Sequence, residues 1–206
     1  SIIADLTLGY AGHSSEILKK IPDGFLYAFD QDERAIKEAS KKLEKIRNNY
    51  KIINDNFVNL KKYIDEVDGI LFDLGVSSPQ LDESERGFSF HKDAKLDMRM
   101  DTKNSLSAYN VVNEYSYDSL VEIFYKYGEE KYAKSIAKGI VEYREKKKIE
   151  TTLELVEVIK NNVPEMYQKY EEKLKYENKK HYEAHVNDLL TIISLLKNGC
   201  EENGIK

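Results

Sequence analysis

Asp30 and Asp73 each close a short apolar run, over 25–29 and 69–72, and each is followed by polar residues. Ligands of an open α/β sheet bind outside the carboxyl ends of its strands, so a carboxylate at a strand tip is placed to meet one. The alternative for either is an ordinary turn acid. Asp30 stands eighteen residues beyond Gly12, near the spacing of about twenty at which an acid reaches a ribose hydroxyl in such folds. Ahead of it, Asp5-Leu6-Thr7-Leu8-Gly9-Tyr10-Ala11-Gly12-His13-Ser14 carries two glycines between an apolar run and a helix. A backbone without Cβ lets a ligand come close, and the amides at the helix entry then face it. Asp55 and Phe57 follow a third apolar run. They suit a purine, which needs an edge acceptor and a flat apolar face, or equally an Asx turn with Phe57 in the core. The chemistry these residues suggest is nucleoside binding.

The elements that must hold them read as a repeated strand–helix alternation, the pattern of a parallel sheet. Strands are predicted over 2–4, 25–29, 50–53 and 69–72, with helices over 14–20, 33–45 and 60–66. Asp32 fits the N-cap of the second helix better than Asp30 does, which leaves Asp30 for the ligand. After the fourth strand a long loop runs to Asp101, and loops of that length in compact domains are commonly functional. Beyond it, apolar residues three and four apart predict helices over 106–113, 119–127, 129–144 and 152–162. Ser119 and the Thr151/Thr152 pair with Glu154 mark helix starts. A last helix is predicted over 186–197. The fold class is α/β, a Rossmann-like and mostly parallel sheet incomplete at its C-terminal side, with an inserted all-helical subdomain. Its parts are a cofactor-binding half over 1–101, a helical insertion over 102–170 and a divergent helical segment over 171–206.

Composition narrows the classes. The net charge of -5 argues against broad electrostatic adhesion to nucleic acid, so any such contact needs a local basic patch. Arg144-Glu145-Lys146-Lys147-Lys148 is the densest, and in isolation it reads as a solvated helix end. The single Cys200 excludes an intramolecular disulfide and a cysteine-rich metal site, which fits a reducing, cytoplasmic setting. His181 and His185, four apart, lack a third ligand nearby, so no metal is expected. No run reaches the length of a membrane span, and no membrane partner is expected.

Five segments share a family pattern: DLTLGYAGHSSEIL, FDQDERAI, INDNF, DGILFDLGVSSPQLDESERGFSFHKDAKLDMRMD and YGEEKYAKSIAKGIVEYREKKKIETTLEL. Over residues 5–164 they resemble the bacterial 16S ribosomal RNA cytosine-N4 methyltransferases, and the fourth-strand loop carries the most specific part of the likeness. The resemblance implies transfer of a methyl group from S-adenosylmethionine to a cytosine amine in 16S ribosomal RNA of the small ribosomal subunit. It implies that Ala11, Gly12 and His13 line the methionine side of the cofactor, Asp30 its ribose and Phe57 its adenine. Asp73 and Gln80 are implied beside it in the fourth-strand loop, with Asp73 the first candidate for a catalytic role. Phe88 or Phe90 would receive the unstacked cytosine, or else anchor the loop. Tyr10 and Ala11 replace two of the family's glycines, and Tyr10 is expected to narrow the site. The family's segment before the first strand, its Pro-Gly-Gly turn and its Ser-Phe-His-Ser strand have no counterpart here, so a truncated or divergent member is expected. A non-catalytic fragment and a dehydrogenase binding NAD stand as rivals, and a homodimer is left open.

Overall fold

The computed structural model describes residues 1–164, which contacts divide into two units: Ser1–Ser77 with Met100–Lys103, and Ser78–Arg99 with the chain from Asn104 onward. The first is a four-stranded parallel sheet. Its strands are β1 (Ile2–Asp5), β2 (Phe25–Asp30), β3 (Tyr50–Asn54) and β4 (Gly69–Leu71), in the order β3-β2-β1-β4. Register pairs Ile2 with Phe25, Leu26 with Tyr50 and Ile3 with Gly69. That order, with the chain turning back across β1 to reach β4, is the Rossmann-like half-sheet the alternating pattern predicts.

The period of two along β2 explains why both faces are covered. Leu26 and Ala28 pack with Leu8 and Leu18, and with Ala39 and Leu43 from the helices α1 (Gly12–Lys20) and α2 (Glu33–Leu43). Phe29 joins Ala4, Leu6 and Ile53 in a second cluster, against which Phe57, Leu60 and Ile64 pack. Full burial of a Leu or Phe side chain contributes roughly 1.5–3 kcal/mol, so these two clusters carry the unit. Asp32 caps α2 as predicted, its carboxylate accepting the Arg34 amide at 3.1 Å. The helix predicted over 60–66 is instead a 3-10 segment, Phe57–Lys62. Local side chains draw the turn tight: Asn56 accepts from Val58 N, and Asp55 accepts from Asn59 Nδ2 at 2.8 Å and Tyr63 Oη at 2.8 Å.

The second unit is helical. It comprises α3 (Ser78–Asp82), α4 (Ala108–Glu114), α5 (Tyr117–Glu122), α6 (Ala133–Arg144) and α7 (Thr152–Asn161), with a π-helical segment at Ile123–Tyr127. Two starts differ from prediction. Ser116, not Ser119, caps α5, and its hydroxyl accepts the Ser119 amide at 3.1 Å. The helix predicted from 129 begins at Ala133, because Glu129 lies in the left-handed region at φ 49° and the Glu130 carboxylate takes the Tyr132 amide at 2.7 Å. The basic run is structural in part. Arg144 donates to the carbonyls of Val112 (2.7 Å) and Tyr115 (2.6 Å), satisfying the C-terminal end of α4, and Lys147 pairs with Glu154.

The start of α7 is a reciprocal box: Thr151 Oγ1 accepts from Glu154 N, and Glu154 Oε2 accepts from Thr151 N. Bonding to Lys147 holds the Glu154 carboxyl below its ordinary range. Thr151→Ala is expected to cost about 1 kcal/mol, the usual loss for an N-cap, read as a lower urea midpoint. The predicted helix over 186–197, His181, His185 and Cys200 lie outside the described residues. Among the described residues no helix is long and apolar enough to cross a membrane, and no cluster of three or more His, Cys, Asp or Glu side chains could hold a metal ion.

Candidate cofactor site

The sheet's order reverses between β1 and β4, and the candidate residues of the first unit gather at the carboxyl ends of its strands. After β1 the chain makes a turn with Gly9 at φ 50° and Ala11 at φ 58° before entering α1. Left-handed backbone costs a non-glycine residue roughly 1–2 kcal/mol, so Ala11 holds its place against its own conformational preference. Its methyl is fully buried in the cluster with Leu8 and Leu18, which offsets part of that cost. Ala11 is the N-cap of α1 and offers no side-chain acceptor. The amides of Gly12 and His13 therefore head the helix with neither an intrahelical carbonyl nor a cap. A Cβ built on Gly12 would meet no atom within 4 Å, so there is open room above the turn.

Asp30, at the tip of β2, turns back toward that turn. Its Oδ2 accepts the Gly9 amide at 2.7 Å and its Oδ1 the Asp32 amide at 2.8 Å. Burial pushes its carboxyl above the usual range, against the pull of the Asp32, Gly9 and Gln31 amides. The four acceptor sites of a carboxylate leave room beyond the backbone amides for a hydroxyl donor.

Asp73, just beyond β4, brings its Oδ2 to 3.4 Å from His13 Nδ1. Both side chains are more than half exposed, at 64% and 62%, so a ligand can reach either. Phe57 meets Phe72 edge to face, with ring centroids 5.6 Å apart, and Phe72 is exposed. Asp55, read equally as a purine acceptor or as part of an Asx turn, is engaged locally. Burial would raise its carboxyl, but its bonds to Asn59, Tyr63 and the Asn56 amide prevail and hold it below the usual range.

Gln80 belongs to the other unit. It lies on α3 in the second unit, buried there. Its neighbourhood is the signature loop, whose inner part is scaffold. Arg86 is buried, donates to the Arg99 carbonyl at 2.8 Å and places its guanidinium 5.4 Å from the Phe88 ring centroid. Arg99 grips Asp97 with two bonds of 2.7 Å, and Met98 N donates to the Arg86 carbonyl at 3.0 Å. Burial would raise the Asp97 carboxyl, but the Arg99 bonds outweigh it. Phe88 is fully buried and serves as an anchor, while Phe90 is only partly buried and stacks on His91. Pattern reading missed Asp5, Thr7 and Ser14, whose side chains bond to one another behind the turn. The only mark in the sequence was a third acid at a strand tip, that of β1.

A four-stranded parallel sheet whose order reverses between β1 and β4, with helices between its strands, defines a Rossmann-like fold class. Residues 1–191 match the model of the MraW methylase family, and the chain belongs to that family. It is 55% identical over 168 residues to a ribosomal RNA small subunit methyltransferase H from Exiguobacterium sibiricum, covering 79% of this chain and 54% of that protein. Against the protein of the same name from Mycoplasma mycoides it is 52% identical over 189 residues, covering 89% and 59%. The chain thus spans little more than half the length of the curated relatives it matches. Among solved structures, an rRNA methylase from Streptococcus thermophilus aligns with 39% of this chain and 46% of its own, at 28% identity and a TM-score of 0.32.

Proposed function

We propose that this chain carries the S-adenosylmethionine-binding part of a methyltransferase acting on the N4 amine of a cytosine in 16S ribosomal RNA of the small subunit. The observation that carries the reading is the junction of the β1, β2 and β4 tips: uncapped amides at Gly12 and His13, the Asp30 carboxylate and the exposed His13–Asp73 pair. The residues present fit the cofactor. Free amides at a helix entry suit its carboxylate, the remaining lone pairs of Asp30 suit its ribose hydroxyls, and Phe57 with Phe72 offers an apolar face to its adenine. Gln80 is assigned to the same cofactor by the family pattern. Bound, the cofactor supplies an electrophilic methyl group on a sulfonium.

The chain's own contribution is then alignment and charge. A cytosine amine is a weak nucleophile, because its lone pair is delocalised into the ring, and it becomes positive as the new C–N bond forms. An acceptor for its N–H stabilises that charge without acting as a strong base. Asp73 fills that role best among the described residues: it is at a strand tip, solvent-facing and beside the cofactor turn. The base must leave its stack to reach the donor.

The test has two arms. Calorimetry with S-adenosylmethionine and with NAD is expected to show binding of the first alone, and the reverse would overturn the methyltransferase reading in favour of a nicotinamide-binding one. Labelled methyl transfer into unmodified small subunits then reports the reaction. Cofactor binding without transfer would identify the chain as a binding fragment.

A further inference from the structure

Asp5 closes β1 with its carboxylate fully buried, a placement that is costly unless both oxygens are hydrogen-bonded. Both are, in two different directions. Oδ2 accepts from the Ser14 hydroxyl at 2.6 Å, and Ser14 follows His13 on α1. Oδ1 accepts the Thr7 amide at 3.1 Å and lies 3.4 Å from the Thr7 hydroxyl. A hydroxyl has one proton and two lone pairs. With its proton turned to the Asp5 carboxylate, Thr7 Oγ1 is left as an acceptor, and the Asp73 amide donates to it at 2.8 Å.

One buried carboxylate therefore reaches the backbone of Asp73 through the Thr7 hydroxyl and, through the Ser14 hydroxyl, the residue that follows His13 on α1. We propose that Asp5, Thr7 and Ser14 form a positioning clamp that sets the His13–Asp73 pair for the cofactor, a role resting on the function proposed above. The clamp answers a physical difficulty. Asp73 is exposed and lies past the last ladder residue of β4, so the sheet alone does not fix its backbone. The Thr7 hydroxyl extends the β1–β4 junction beyond the last backbone bond there, Leu6 N to the Leu71 carbonyl at 3.0 Å. The bond to Asp5 also sets the polarity, because a Thr7 hydroxyl whose proton is turned inward accepts outward. Asp5, Thr7 and Ser14 are positioning residues, since they act through their neighbours.

The test combines amide hydrogen exchange with S-adenosylmethionine affinity in the wild-type chain and in Thr7→Val, Thr7→Ser and Ser14→Ala. Thr7→Val is expected to speed exchange at the Asp73 amide about tenfold, the loss of one hydrogen bond, and to weaken affinity by a similar factor. The amides of Ala4 and Asp5 within the sheet should keep their protection. Thr7→Ser should restore both values. Ser14→Ala should weaken affinity while leaving Asp73 exchange at the wild-type rate, because it cuts only the branch to His13. Unchanged Asp73 exchange in Thr7→Val, a uniform rise across the sheet amides, or a loss that serine does not restore overturns the clamp. Should the wild-type chain fail to bind the cofactor, the proposed function falls, and Asp73 exchange alone decides whether the clamp exists.

Discussion

Gly87→Ala is expected to destabilise the helical unit by about 3 kcal/mol or more, read as a lower urea midpoint with an unchanged slope. Two independent costs add. Gly87 sits at φ 72°, where a side chain costs roughly 1–2 kcal/mol. A Cβ there would also lie 2.4 Å from the Lys95 carbonyl oxygen, a backbone atom that cannot swing aside, and such overpacking costs about 1–3 kcal/mol. The neighbourhood has little freedom to yield. Leu96 N is bonded to the Glu150 carbonyl, Thr152 N to the Ala94 carbonyl, and Tyr109 N to the Leu96 carbonyl, so a shift at Lys95 pulls on the starts of both α4 and α7. A variant as stable as wild type would show that the turn relaxes and that the loop is not the hub its bonds describe.

That hub bears on what could be read from the residues alone. The strands were legible because each is an apolar run ended by acids or amides, and a parallel sheet buried on both faces needs nothing subtler. Asp32 as a cap and the Thr151–Glu154 box were legible because capping depends on a few adjacent residue types. Local competition was harder to foresee. Asp55 read equally as a purine acceptor or as part of an Asx turn, and residue types alone did not show that Asn59 and Tyr63 would engage it and draw the following turn into 3-10 form. Ser116 outcompetes Ser119 as a cap because the helix can start one turn earlier at no apolar cost. The segment most distinctive in sequence, ERGFSF with LDMRM, looked like a working loop, whereas Arg86 bonds to the Arg99 carbonyl and lies over Phe88, and Arg99 bonds to Asp97 and the Asn104 carbonyl. Residue types conveyed that the segment was constrained, and only packing distinguishes constraint by a ligand from constraint by the fold. For the same reason Asp5 was invisible as a linking residue: its partners Thr7 and Ser14 are common types, and nothing in their spacing shows that their hydroxyls meet one carboxylate.

Asp30→Asn is expected to weaken S-adenosylmethionine binding by about tenfold to a hundredfold, since hydrogen bonds to a charged acceptor contribute about 1.5–3 kcal/mol. The substitution keeps the shape but replaces one acceptor oxygen with an NH₂ donor, which then opposes either the Gly9 or the Asp32 amide. The effect has a pH signature because burial places the folded carboxyl above its ordinary range. In binding, the ionised form is the better acceptor for a ribose hydroxyl, so wild-type affinity should fall as pH drops through that raised value. In the asparagine variant this dependence should be absent. In folding the sign is opposite. A carboxyl whose folded pKa exceeds its unfolded value binds its proton more tightly in the folded state, so its contribution to stability is complete below the unfolded pKa and is lost as pH rises through the folded one. Asp97 runs the other way, because its folded carboxyl is lowered and its contribution is lost as pH falls. Asp30→Asn should therefore abolish a loss of stability on raising pH through that window while also abolishing the gain in affinity there. Affinity that stays at the wild-type level, or that keeps its pH dependence in the variant, would remove Asp30 from the ribose and move the site elsewhere on the sheet.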